Sequence, residues 1–198
     1  MEVSEAVAAR RSIRKFLDKP VPEGSVRQIM EAARLAPSAS NVQSWKFKPV
    51  RDFATRQALR KAAFGQAFIE EAPLVIVACV DIEAYGERVA VSLELLRAGT
   101  ATSNLCTLLC RVGSENLEDE VRCITNAMIN VTIAVENMVL TAASLGLGTC
   151  WVRAFEPDEV ASLLSLPPEC PPLFLLPIGY PAERPHPRPR KSMEDIMI

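Results

Sequence analysis

The clearest pattern along the chain is a set of apolar positions, Ile124, Met128, Val131, Val135, Met138, Ala142 and Leu145, whose separations alternate between four and three until Gly146. That spacing places the side chains on one stripe of a helix, and the glycine supplies its stop. Ile129, Ile133, Val139 and Leu140 make the other sides apolar as well. The helix is therefore expected to be buried on more than one face, beside a sheet and a partner subunit. An earlier helix is read from Pro22 to Ala36, where Val26, Ile29, Met30, Ala33 and Leu35 recur at near-helical spacing and Pro37 restricts the residue before it. Residues 53–64 read as a surface helix.

Other stretches carry strand patterns. Trp45 to Val50 alternates large apolar with basic residues, a period of two that fits a strand with one covered face. Leu74 to Val80 is a continuous apolar run after Pro73, as in a central strand buried on both faces, and such burial implies a layered fold. Leu147 to Val152 and Leu173 to Tyr180 read as two more strands, with a short helix from Pro157 to Leu164 between them. The tail beyond Pro181 is rich in proline and basic residues and cannot continue a strand. No internal repeat or low-complexity segment is seen.

Length and composition narrow the class. With 198 residues, 49% apolar and 23% charged, the chain reads as one well-filled domain over 1–198 rather than a disordered segment. A net charge of -2 gives no bulk drive toward nucleic acid or an anionic membrane, and neither is expected as a partner. The acidic start followed by a polar basic stretch is the reverse of a signal peptide. No apolar run is read as a membrane span. A cytoplasmic location is expected, with the six cysteines mostly reduced.

Histidine chemistry is nearly excluded. The single histidine, His186, lies in the proline-rich tail, so a serine or cysteine triad has no base inside the fold and a multi-histidine metal centre is ruled out. No glycine-rich phosphate loop follows a strand, because Gly146-Leu147-Gly148 stands at a helix end, and the chain is not expected to carry its own nicotinamide fold. Cys106 and Cys110 lie four apart among leucines, and together with Cys123 they fit no strong metal motif. Cys106 and Cys110 read as buried core thiols, as do Cys79 and Cys150 in their strands, and no metal is expected. Trp45 and Trp151 read as packing residues.

Positive charge gathers at two places far apart in sequence, Arg10-Arg11-Ser12-Ile13-Arg14 and Arg188-Pro189-Arg190-Lys191. By charge alone these are solvated runs, the commoner fate of basic clusters. Their alternative is convergence on one phosphate, for which paired guanidinium donors and the Ser12 hydroxyl are suited. A third element, Pro37 to Trp45, sets hydroxyl and amide side chains between a helix end and a strand. Alone it is a capping loop; with a polar heterocycle beside it, it offers several hydrogen bonds.

In order and spacing these motifs, together with Leu145-Gly146-Leu147-Gly148-Thr149-Cys150-Trp151 and Gly179-Tyr180-Pro181-Ala182-Glu183, resemble the nitroreductase family. The resemblance covers nearly the whole chain and is weakest from Gly86 to Arg122. It implies an α+β fold in which a mainly antiparallel sheet is wrapped by helices, and an interwoven homodimer with flavin mononucleotide (FMN) bound at the subunit interface. Carried over by position, Arg10, Arg11, Ser12, Arg14, Arg188 and Arg190 hold the phosphate or lie beside it. Arg14 is alternatively placed at the flavin ring edge. Ser38, Ser40, Asn41 and Gln43 line the ring from the partner subunit. Arg153 and Ala154 set backbone amides near flavin N5 and O4. Many relatives have glycine where Arg153 stands, and whether its side chain blocks or charges the acceptor cavity is left open.

The activity implied is ping-pong reduction of a small electron-poor acceptor, such as a nitroaromatic or a quinone, with NADH or NADPH as transient donor. No side chain stands out as a proton donor. Two alternatives stay open at this point: a specialised flavoenzyme (dehalogenation, flavin breakdown or azoline oxidation) and a non-catalytic FMN-binding protein.

Overall fold

Seven consecutive apolar residues leave no side of a strand for water, and the chain resolves this by burying Leu74–Val80 on both faces. In the computed structural model, which describes residues 1–107, 111 and 120–198, that strand is β2 of an antiparallel sheet. The others are β1 (Trp45–Val50), β3 (Gly148–Thr149) and β4 (Pro172–Gly179), in the order β1-β2-β4-β3. The register sets Trp45 opposite Val80 and Leu74 opposite Ile178. The helices are α1 (Val3–Ala9), α2 (Glu23–Arg34), α3 (Phe53–Ala62), α4 (Phe68–Glu71), α5 (Ile82–Gly86), α6 (Arg88–Arg97), α7 (Glu120–Ser144) and α8 (Pro157–Leu164).

Alternation along β2 divides the core in two. Leu74, Ile76, Ala78 and Val80 pack with α2 and α7, whereas Val75, Val77 and Cys79 pack with α3 and α8. The expected α+β layering is the architecture observed. Burial pushes the Cys79 thiol up to about 12, so it is held as an inert core thiol. Cys106 and Cys150 are buried too, while Cys110 lies outside the described residues.

Two expectations need correction. The strand read over Leu147 to Val152 contracts to Gly148–Thr149, with one further bridge between Val152 and Leu175. The cause is Pro177 on the facing strand: Cys150 donates to its carbonyl at 3.3 Å, but a proline has no N–H to return the bond. The second correction concerns the membrane. By length and composition Val121–Ser144 in α7 does reach a span, with mean hydropathy 1.4. Its Val131, Ala134, Val135, Met138 and Ala142 are nevertheless fully buried against the sheet, so α7 reads as a core helix. Ile129 and Ile133 remain exposed on its outer side.

Helix α1 escapes sequence reading because Ala6 alone is buried along it. It is set instead by a capping box, in which the backbone N–H of Glu2 donates to the Glu5 carboxylate at 2.9 Å.

Candidate functional site

After α1 the chain runs as an arm along the sheet. Ser12 bridges Thr149 in parallel, Ile13 donates its N–H to the Thr149 carbonyl at 2.9 Å, and Phe16 pairs with Pro181. The arm lies this close because Gly148 has no side chain: a Cβ there would stand 2.5 Å from Ile13 Cγ1. Gly179 permits the same for Phe16, at 2.9 Å.

The arm also fastens the tail. Ala182 donates its N–H to the Lys15 carbonyl at 2.9 Å, and the Glu183 carboxylate accepts the Arg14 backbone N–H at 2.6 Å. These contacts bring together residues about 175 positions apart and leave a cavity of about 170 Å³ lined by Arg11, Ser12, Arg14, Glu183, His186 and Arg188. The two basic clusters thus converge. His186, which sequence reading leaves in the tail as a residue outside the fold, stands at this cavity beside the arginines.

Two of the clustered arginines behave differently. Arg10 turns toward α7, with Nε 3.7 Å from Glu136 Oε1, and lines a neighbouring cavity of about 300 Å³. Burial raises the Glu136 carboxyl above its ordinary range, and the charge of Arg10 and a hydrogen bond with the Trp151 side chain oppose that rise. Arg190 is exposed and donates to the carbonyls of Arg188 and Pro189, so the structure does not bring it to the cavity.

The segment from Ser38 to Ser44 departs from a simple cap. A short 3-10 turn spans Ala39–Asn41, and Ser40, Asn41 and Gln43 all take left-handed φ, at 52°, 56° and 50°. Ser38 Oγ accepts the Gln43 N–H at 3.0 Å and closes the loop on itself. Helix α6, from the weakly matching middle of the chain, packs against the turn. Such backbone is strained for residues other than glycine, by about 1–3 kcal/mol each, and it clusters at functional sites.

The remaining expected contacts lie beyond β3. The Arg153 guanidinium sits over the Phe174 ring, 6.0 Å from its centroid, and Trp151 meets the same ring edge-on at 4.8 Å. Gln66 Nε2 donates to the Ala154 carbonyl at 2.9 Å. Among the described residues, neither the Arg153 nor the Ala154 amide donates to another group.

Sequence reading missed Asn130, Ser44, Glu136 and Gln66. A signal existed for two of them: Asn130 and Glu136 are polar interruptions in a strongly apolar helix, and buried polar groups need partners. Ser44 and Gln66 carry no such signal.

Comparisons with known proteins give the family. The family model described as Nitroreductase family matches residues 7–180. The chain belongs to the nitroreductase family. It is 35% identical to a Thermus thermophilus protein named NADH dehydrogenase, over 100% of this chain and 96% of that protein. It is 32% identical to a Bacillus subtilis FMN reductase [NAD(P)H], over 98% of this chain and 72% of that one. An FMN complex from Exiguobacterium sibiricum shares the nitroreductase fold with a TM-score of 0.83, at 23% identity over 100% of this chain and 97% of that chain.

Proposed function

We propose that this nitroreductase-family chain is an oxidoreductase that binds FMN at the interface of a homodimer and passes electrons from NADH or NADPH to a small electron-poor acceptor, such as a nitroaromatic or a quinone. One observation carries the reading: Arg11, Ser12, Arg14 and Arg188 line a single small cavity. The Arg11, Arg14 and Arg188 guanidinium groups and the Ser12 hydroxyl make a donor set that fits a phosphate, in a cavity whose wall Glu183, Pro185 and His186 complete. The names of relatives, NADH dehydrogenase and FMN reductase [NAD(P)H], agree with the donor and the flavin. Bound FMN supplies the hydride-accepting chemistry between donor and acceptor.

The chain's own groups then have separate tasks. Arm and tail hold the phosphate through Arg11, Ser12, Arg14 and Arg188. The amides of Arg153 and Ala154 offer fixed donors where negative charge develops at the ring. Ser38, Ser40, Asn41 and Gln43 face a ring bound by the partner. That assignment is supported by α7, where Asn130, which holds the loop, and Glu136, which meets Arg10, stand about 9 Å apart along the axis and about 120° around it. Loop and arm therefore occupy different sides of one helix. The exposed Ile129 and Ile133 on α7 are the apolar surface a partner would cover. We place the protein in the cytoplasm, where nicotinamide donors and reduced thiols coexist.

Steady-state oxidation of NADH and NADPH with menadione or a nitrofuran tests the activity. Turnover that depends on bound FMN and on the acceptor is expected. A flavin reduced by NAD(P)H but turned over poorly by both acceptors indicates a specialised enzyme of the family, and no reduction at all indicates a binding protein. Arg153→Gly is expected to raise kcat/KM for bulky quinones while changing FMN affinity by no more than about 0.5 kcal/mol, because the contact proposed is through backbone. Loss of flavin in that variant would show the side chain itself to be a ligand.

A further inference from the structure

A polar side chain inside an apolar helix must find partners there, since burial removes its hydrogen bonds to water. Asn130, midway along α7, is 2% exposed. Its Oδ1 accepts the Ala39 backbone N–H at 3.0 Å, and its Nδ2 donates to Ser44 Oγ at 3.0 Å. Ser44 is itself fully buried, and its carbonyl accepts the Asp81 N–H at 3.1 Å. One amide therefore pins both ends of the segment from Ala39 to Ser44. Between the pins lie Ser40, Asn41 and Gln43, all left-handed. Strained backbone of this kind persists where its surroundings over-determine it; here Ser38 closes the loop from within, and the two side-chain contacts that reach it from α7 both come from Asn130.

We propose that Asn130 is a positioning residue, which holds this loop in the one conformation that presents its polar groups to the flavin ring. Asn130 touches no ligand itself. The proposal rests on the function proposed above, because it takes the loop as the ring contact. It adds that affinity for the ring, as distinct from the phosphate, is set from inside α7. Freed of the Asn130 contacts, Ser40, Asn41 and Gln43 relax out of the left-handed region, and the donors and acceptors they offer disperse.

Asn130→Leu, close to the original in size, removes both contacts. Titration with FMN and with riboflavin is expected to show the same loss for both, about tenfold or more, since the phosphate plays no part in it. The visible absorption bands of the bound ring should shift as well. Asn130→Asp keeps an acceptor for the Ala39 N–H and offers a second oxygen to which the Ser44 hydroxyl can donate, so most of the affinity for both ligands should return. A folded Asn130→Leu variant that binds riboflavin as tightly as the wild type overturns the proposal. Should that variant fail to fold, Ser44→Ala, which removes one contact, decides: a smaller matched loss for both ligands supports positioning, and unchanged affinity overturns it. Wild-type protein that binds neither ligand contradicts the proposed function itself, whereas a tight wild type with an indifferent Asn130 leaves that function standing.

Discussion

Replacing Arg188 by alanine is expected to weaken FMN binding by about 1.5–3 kcal/mol, which is roughly ten- to a hundredfold or somewhat more, and to leave riboflavin binding unchanged. The range is that for hydrogen bonds to charged groups, and the contrast follows from the geometry. Arg188 reaches the cavity of Arg11, Ser12 and Arg14 only because Glu183 and Ala182 tie the tail to the arm. Its removal leaves the β-sheet and both halves of the core untouched, so the loss should be confined to the phosphate. Binding by the variant should also depend less steeply on salt, as one fewer charge is screened. Isothermal titration with both ligands separates the possibilities. Equal losses for FMN and riboflavin would mean that Arg188 supports the fold or the dimer instead.

Gly148→Ala is expected to lower stability by about 1–3 kcal/mol and FMN affinity along with it. The new methyl carbon would meet Ile13 Cγ1 at 2.5 Å and Ile13 Cβ at 2.8 Å, and Ile13 is a buried residue whose N–H is already committed to Thr149. Ile13 must shift, and Ser12 and Arg14 on either side of it shift too. Trimming Ile13 to alanine removes the 2.5 Å contact with Cγ1 and leaves the one with Cβ, so the clash should be relieved in part: in Gly148→Ala combined with Ile13→Ala, the summed losses of the two single variants should exceed the measured loss by about 0.5–3 kcal/mol. Denaturant titrations of the four proteins give that coupling directly. Strict additivity would show that the close approach of Gly148 and Ile13 does not hold the arm.

Much of the scaffold was legible because each pattern had one physical solution. The period of two over Trp45 to Val50 and the unbroken apolar run over Leu74 to Val80 became β1 and β2 residue for residue. Pro157 sits at the start of α8, where its missing N–H does no harm. The four-and-three spacing located α7. What stayed illegible depends on contacts between distant segments. Nothing in Leu147 to Val152 announces that Pro177 opposite will cut the strand short. The two basic clusters were visible as composition, but their convergence is made by Glu183 and the arm, and nothing local tells that Arg10 turns to Glu136 or that Arg190 stays outside. The loop at Ser40, Asn41 and Gln43 was readable as polar, yet nothing local announces its left-handed φ values or that Asn130, some ninety residues away, bonds to both its ends. Helix α6, in the weakly matching middle, and the five-residue α5 just before it carry no strong period and escape sequence reading.

The central claim, a bound flavin that takes electrons from a nicotinamide and gives them to a small acceptor, is tested most directly by the visible absorption of the purified protein under anaerobic conditions. The protein should carry flavin bands, lose them on addition of NADH or NADPH, and regain them on addition of menadione. A colourless protein that takes up no added FMN, or a bound flavin that neither nicotinamide bleaches, would contradict it.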